Sequence, residues 1–380
     1  MKKVCFILAN LDSGGIERTA ASLIEKLNLF YDLQIINLYG KTNKFNIKGK
    51  IYNLNNKNIK NKYVRTLYII YQYLRLIKKL QIDTILSFGD YANIYNLLTP
   101  ISSNKKILSV HSIKSIENKE IGKNGNIFNF FIKNFYKYSR KIIVVSDSSK
   151  IDLIENYKLN KNKLILIENP YDIYKILEQS KEKVELDFPN KYFHICSVGR
   201  MVKLKGFDKA IKILSFSKYK KNIKYYLIGN GEYLEKLETI AKKYDMENNV
   251  IFLDNQPNPF KYLKNMDLFL SLSDFESFPG VLIEALACAV PILATESTSS
   301  IKRILNLSAN ENINEYGIVV EKFIYNQKEN LNKSEERVLN CIEKIYKKEI
   351  KFTSKENFLQ QALKFDIENT YKKYINIIGK

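Results

Sequence analysis

Short runs of apolar, β-branched residues recur along this chain, separated by segments long enough for helices, and the series stops and then starts again. The first set lies at 4–8, 33–38, 84–87, 106–110, 142–145 and 164–167; the second at 192–198, 224–228, 249–253, 267–270 and 290–294. Runs of this kind read as buried parallel strands, and parallel strands need helical crossovers of right-handed sense. Between the two sets, Glu168-Asn169-Pro170 opens a polar stretch reaching Pro189-Asn190 that has neither helical nor strand period and reads as a linker. The pattern therefore predicts an α/β protein of two doubly wound Rossmann-like domains, 1–170 and 171–362, facing across a cleft. A chain of 380 residues exceeds what one core usually supports, which agrees with two domains. Residues 363–380 carry apolar positions at helical spacing and form a closing helix.

Charge narrows the partners. The net charge is +21, distributed unevenly: residues 1–170 carry 28 Lys and Arg against 12 Asp and Glu, and residues 171–380 carry 33 against 28. In the first half the basic residues interleave with tyrosine and phenylalanine, notably from Lys57 to Lys79 and from Lys123 to Lys141. Such segments suit anionic lipid headgroups or a pyrophosphate-bearing acceptor; a solvated basic face is the other reading. No RNA- or DNA-binding signature accompanies the charge, so nucleic acid is not expected. No run of about 18 apolar residues predicts a membrane-spanning helix, and Met1–Ala9 is too short in its apolar part for a signal peptide and reads as a first strand. The four cysteines, Cys5, Cys196, Cys288 and Cys341, lie far apart and read as free thiols in a reducing cytosol. No metal-ligand cluster stands out: the acidic pair in Asp274-Phe275-Glu276 lacks a further partner.

Ligands of open α/β sheets bind at the carboxyl ends of strands, so those ends carry the candidate chemistry. After the first strand, Asp12-Ser13-Gly14-Gly15 turns into a helix; Gly14 and Gly15 permit close backbone approach to a phosphate or sugar, or simply make a tight turn. After the first strand of the second set, Gly199-Arg200 and Lys205 bring a planar guanidinium and a mobile ammonium to a strand end, a pair fit to neutralise a diphosphate. Ile228-Gly229-Asn230-Gly231 is a further strand-to-helix turn that shapes the crevice. Near the end, Glu276-Ser277-Phe278-Pro279-Gly280-Val281-Leu282-Ile283-Glu284 places two carboxylates eight apart around a proline-initiated helix. Pro279 fits a first turn, leaving the amides of Gly280, Val281 and Leu282 to point at an anion. Glu284 is placed to accept from a vicinal diol such as a ribose.

Taken together these residues resemble the GT-B glycosyltransferases of family 4, over nearly all of the chain. The resemblance is carried by Gly14-Gly15, Gly199-Arg200 with Lys205, the turn at Gly229, and Glu276 with Glu284, in that order and at those strand ends. It implies a retaining transferase of the bacterial lipid-linked oligosaccharide or surface polysaccharide type, moving a hexose or N-acetylhexosamine from a UDP-linked donor. The implied acceptor is a lipid-linked saccharide, reached by an enzyme resting on the inner face of the plasma membrane. No metal or other cofactor is implied. Arg200 and Lys205 would bind the donor diphosphate, with Gly14 and Gly15 approaching it from the first domain. Glu284 would hold the ribose and Glu276 would orient hydroxyls of the transferred sugar. His111, closing the strand 106–110, matches the family's active-site histidine, although a strand-end histidine also serves structure; His194, between Phe193 and Ile195, reads as packing.

One segment departs from the family pattern. Ser299-Ser300-Ile301-Lys302-Arg303 stands where a glycine and an acidic residue are common, which puts sugar-hydroxyl contacts near residue 300 in question. A nucleotide-sugar hydrolase or epimerase, and a non-catalytic basic binding protein, are the alternatives from other classes.

Overall fold

The computed structural model describes residues 1–379 except 12, 13, 41, 42, 44, 46, 56 and 326–329. It contains two compact units, Met1–Tyr171 with Phe365–Lys380, and Asp172–Lys364.

The first unit is built on β1 (Lys3–Leu8), β2 (Asp32–Asn37), β3 (Lys50–Asn53), β4 (Thr84–Phe88), β5 (Lys106–Val110), β6 (Lys141–Val144) and β7 (Leu164–Leu166), in the spatial order β3-β2-β1-β4-β5-β6-β7. All its pairings are parallel. Strand β3 is absent from the expectation because it is a four-residue edge strand with exposed ends, Lys50 and Asn53, and so lacks the buried apolar run. Side chains alternate across the sheet as a strand period of two requires. From β1, Val4, Phe6 and Leu8 enter a core shared with helices Gly15–Leu27 and Ile367–Ile378, while Cys5 and Ile7 enter the opposite core with helix Lys62–Leu80. Because Ser87 of β4 registers with Leu108 of β5, Leu108 lies on the same side as Ile85. Leu108 packs with Ile132 of helix Lys123–Phe135 and Ile85 with Ile69 of helix Lys62–Leu80, so these two helices cover one face of the sheet.

The closing helix belongs to this unit. The Ile367 amide donates to the Tyr171 carbonyl at 2.8 Å and the Tyr171 amide to the Phe365 carbonyl at 3.2 Å, Asp366 caps the helix at the Glu368 amide, and Tyr374 is buried among residues of β1 and helix 15–27. Glu368 also pairs with Lys26 at 2.5 Å.

The second unit holds β8 (Phe193–Val198), β9 (Ile223–Ile228), β10 (Val250–Leu253), β11 (Leu268–Ser271), β12 (Ile292–Thr295) and β13 (Gly317–Val320), again parallel, in the order β10-β9-β8-β11-β12-β13. Strand β13 also escapes the sequence reading: it has four residues, begins on a glycine and follows a polar loop. The predicted linker is partly a helix, Ile173–Ser180, because Ile173 and Ile176 bury one face and the Asp172 carboxylate caps the Lys175 amide at 3.0 Å.

In both sheets the strand order reverses once, between β1 and β4 and between β8 and β11. At such a switch point the two crossovers depart to opposite faces, and their loops open a crevice at the carboxyl ends of the two strands. Gly14 and Gly15 follow β1 and His111 follows β5, while Arg200, Lys205 and Glu276 follow β8 and β11.

Candidate functional site

In the second unit the switch point is framed by the loop after β8, which carries Gly199, Arg200 and Lys205, and the loop after β11, which carries Glu276. Backbone contacts sew the two loops together. The Asp274 amide donates to the Leu204 carbonyl at 2.8 Å, and Gly206, in a left-handed conformation with φ 65°, lies so near β11 that a Cβ would come within 2.1 Å of the Leu272 carbonyl oxygen. Gly229, with φ 142°, is required for a similar reason: a Cβ there would stand 2.0 Å from the Gly199 carbonyl. Its role is thus close packing of one strand-end turn upon another.

The side chains depart from the expected grouping of Arg200 with Lys205. The Lys205 ammonium donates to Glu276 Oε1 at 2.5 Å, and the Ser273 hydroxyl donates to the same oxygen at 3.1 Å. Arg200 is exposed and has no acidic partner among the described residues. Lys205 and Glu276 therefore cancel much of each other's charge, and Arg200, like the exposed Lys203 on the same loop, is a cation with no acidic partner among the described residues. Asp274 pairs with Lys209 at 2.5 Å, so each carboxylate of the acidic triplet is met by a lysine.

Helix Gly280–Ala287 starts one residue later than the sequence suggests. Pro279 takes the N-cap, with ψ 81°, and Gly280 is the first helical residue. Two of the three amides expected to be free are engaged: Gly280 donates to the Phe278 carbonyl at 2.9 Å and Leu282 to the Pro279 carbonyl at 3.0 Å. The Val281 amide keeps no acceptor among the described residues, and it carries the anion-binding potential of this helix start. Glu284 follows one turn on, buried at 5 % exposure. Burial and then the Glu284 carboxylate push the Cys288 thiol up to about 12, so this thiol stays neutral.

The expected sugar-hydroxyl segment has another occupation. Thr298 and Ser300 both donate to the Ser277 carbonyl, at 3.3 and 3.4 Å, bracing the turn that precedes Pro279.

In the first unit, Gly14 caps helix Gly15–Leu27 with φ 125°, and a Cβ added at Gly15 would meet no atom within 4 Å. Asp12 and Ser13 of this turn lie outside the described residues. His111, half-buried beyond β5, bonds through Nε2 to the Ser109 hydroxyl at 2.8 Å, and that hydroxyl donates its own proton to the Ser87 carbonyl at 2.9 Å. Nε2 must then be the protonated nitrogen and Nδ1 the lone-pair acceptor. Loss of hydration, followed by the nearby Lys114 ammonium, holds the ring pKa down to about 4, so the imidazole is neutral at pH 7. His194 is buried, with Nδ1 against Tyr226 at 3.1 Å and Nε2 against the Pro189 carbonyl at 3.2 Å, a packing role. All four cysteines are free.

Residues 13–175 match the family model described as Glycosyltransferase Family 4, and residues 178–344 match that of Glycosyl transferases group 1. The two matches together cover most of the chain, each on its own unit. The chain is a GT-B glycosyltransferase of family 4. It is 28 % identical to an uncharacterized glycosyltransferase of Methanocaldococcus jannaschii, over 93 % of this chain and 94 % of the relative. It is 27 % identical to the N-acetylgalactosamine-N,N'-diacetylbacillosaminyl-diphospho-undecaprenol 4-alpha-N-acetylgalactosaminyltransferase of Campylobacter jejuni, over 84 % of this chain and 86 % of that enzyme. The fold matches the crystal structure of HepE from Anabaena in complex with UDP-glucose, with TM-score 0.76, 16 % identity and 99 % of each chain covered.

Three features of this glycosyltransferase escape the sequence. Ser273, which fixes Glu276, reads as an ordinary end-of-strand polar residue. Gly206 reads as a helix start, while its true constraint is the carbonyl of Leu272. Lys209 sits in an amphipathic pattern where a lysine signals solvent, yet its side chain is buried.

Proposed function

We propose that this glycosyltransferase moves a hexose or N-acetylhexosamine from a UDP-linked donor to a lipid-linked saccharide, with retention of configuration, in bacterial glycan or surface polysaccharide synthesis. One observation carries the reading: at the switch point of the second sheet an uncompensated guanidinium, Arg200, accompanies a helix start with a free amide at Val281 and a buried carboxylate at Glu284. These are the groups a nucleoside diphosphate needs: donors for the phosphates and an acceptor for the ribose diol. The relative from Campylobacter jejuni, named for transfer onto a diphospho-undecaprenol acceptor, and HepE, holding UDP-glucose, support the donor and acceptor classes.

In this mechanism the leaving diphosphate oxygen takes the acceptor proton on the same face of the sugar. Arg200 and the Val281 amide stabilise the charge that develops on the leaving group, at about 3 to 4 kcal/mol per well-placed donor, and Lys205, its charge largely met by Glu276, adds less. Glu276, held by Lys205 and Ser273, orients hydroxyls of the transferred sugar without acting as a nucleophile. By the family resemblance neutral His111 lies on the donor-sugar side, its Nδ1 enclosed in this structure, and Gly14 and Gly15 permit close backbone approach to a phosphate. Charge neutralisation by side chains and a helix terminus makes a metal unnecessary, so turnover is expected to persist in EDTA.

The acceptor's lipid implies work at the inner surface of the plasma membrane. Among the described residues no helix is long and apolar enough to cross a bilayer. The helix-covered face of the first sheet instead exposes Tyr63, Leu67 and Tyr71 on helix 62–80, and Ile127, Phe130 and Tyr138 on or after helix 123–135. The stretches 57–79 and 123–141 that form this face hold seven and five basic residues and no acidic one. Apolar side chains ringed by lysines fit an anionic lipid surface.

The test is incubation with UDP-glucose, UDP-galactose and their N-acetyl forms, with and without an undecaprenyl-diphosphate-linked sugar. Acceptor-dependent release of UDP with an extended lipid-linked product is expected. Donor consumption that ignores the acceptor would contradict transfer to lipid.

A further inference from the structure

Helix Phe207–Ser215 buries two lysines one turn apart in the sense of neighbouring faces, Lys209 and Lys212, each against a carboxylate. Lys209 is 1 % exposed. Its ammonium reaches Asp274 Oδ1 at 2.5 Å and the Phe323 carbonyl at 3.3 Å, and lies 4.9 Å from the centre of the Phe323 ring. Lys212 meets Glu335 at 3.0 Å with both side chains fully enclosed. Burying an ammonium is costly, and a buried ion pair is often no more stable than apolar residues of the same size. Stability alone therefore does not account for lysine at either position.

The two pairs differ in what they join. Lys212 ties its helix to Asn332-capped helix Lys333–Tyr346, far along the chain from the strand-end loops. Lys209 ties the same helix to the loop after β11, and does so two residues before Glu276. Lys205, four residues before Lys209, holds Glu276 itself. Lys205, just before the left-handed Gly206, and Lys209, in the first turn of the helix after it, thus grip two alternate carboxylates of one loop, while the Asp274 amide is held by the Leu204 carbonyl. A loop pinned at Asp274 by charge and backbone has little freedom to carry Glu276 away from its position.

We propose that Lys209 is a positioning residue, which sets the placement of Glu276 through Asp274. The inference rests on the proposed contact of Glu276 with the donor sugar. Removal of the Lys209–Asp274 tie leaves Arg200, Val281 and Glu284 in place, so nucleotide binding survives. Orientation of the reacting sugar suffers, and a misplacement of about 1 Å can cost roughly a hundredfold in rate.

The test compares Lys209→Met/Asp274→Asn, which removes the tie without stranding a charge, with Lys212→Met/Glu335→Gln, which removes the other pair and keeps the glutamine-compatible helix cap. With the four UDP-sugars above as donors, the first variant is expected to lose at least about tenfold in kcat with donor KM within about threefold of wild type. The second is expected to leave kcat unchanged. Lys209→Met alone, which leaves the partly exposed Asp274 carboxylate within reach of water, provides a folded case if the double variant unfolds; its kcat is expected to fall as well. Wild-type kcat in folded Lys209→Met/Asp274→Asn or in folded Lys209→Met, or an equal kcat loss in both double variants, would overturn the inference. Glu276→Ala separates the two levels: if it retains full turnover, the sugar contact fails; if it is inactive while the Lys209 variant is not, only the positioning role fails.

Discussion

In the unit of residues 1–171 and 365–380, lysines and arginines stand outward beside Tyr71, Ile127 and Phe130; in the unit of residues 172–364, Lys205, Lys209 and Lys212 turn inward onto Glu276, Asp274 and Glu335. The same residue type thus serves two ends. Outward charge without carboxylates attracts a surface and costs little in desolvation, whereas inward charge must be matched one for one and then fixes loop geometry. The net charges of the two halves record this difference, and under the proposed function the exposed, unpaired Arg200 is what lets the loops after β8 and β11 receive an anion.

Arg200→Ala tests that contrast most severely. Turnover is expected to fall by roughly a hundredfold to a thousandfold with an unchanged unfolding temperature, because the side chain is exposed and unpaired among the described residues. Steady-state kinetics checks it, and full activity would mean that the uncompensated charge lies outside the chemistry.

On the outward-facing unit, Leu67→Ser with Phe130→Ser is expected to reduce recovery on vesicles rich in anionic lipid by about tenfold or more, since each apolar side chain contributes about 1.5 to 3 kcal/mol when buried. Transfer to a soluble acceptor analogue should be unaffected. Equal flotation of wild type with neutral and anionic vesicles would remove the charge from the account.

His111 offers a pH-dependent comparison within the first unit. Its folded pKa of about 4 lies below the unfolded value of about 6.5, so folding favours the neutral ring. The corresponding stability is present above pH 6.5 and is lost as pH falls through 4, by about 3 kcal/mol in all. Urea unfolding of wild type and His111→Asn between pH 7 and pH 4.5 measures it: the difference should shrink on acidification. A constant difference would show that the ring is not held neutral by the fold.

Gly15→Ala is the smallest change. The helix start has room for the methyl, so stability is expected to rise by up to about 1 kcal/mol. A drop in donor affinity despite that gain would place ligand against this turn; unchanged affinity would make it a plain turn.

The strands of both sheets were legible wherever they were central and apolar, and the two that were not, β3 and β13, are four-residue edge strands. The helix from 173 was hidden in a polar stretch because only Ile173 and Ile176 mark its buried face. The placement of the candidate residues was readable from strand-end logic: Arg200 and Lys205 follow β8, and Glu276 and Glu284 follow β11. Their partnerships were not. Nothing local to Lys205 tells that its ammonium is spent on a residue 71 positions away, or that the amides of Gly280 and Leu282 are bonded to Phe278 and Pro279. Long-range pairing depends on which loops the sheet order brings together, and that order is not a local property of the sequence.

Crystals of this glycosyltransferase with UDP offer the most direct measurement. The diphosphate is expected about 3 Å from the Arg200 guanidinium and the Val281 amide, with the ribose hydroxyls on Glu284. UDP bound away from the β8 and β11 strand ends, with Arg200 still free in solvent, would contradict the account.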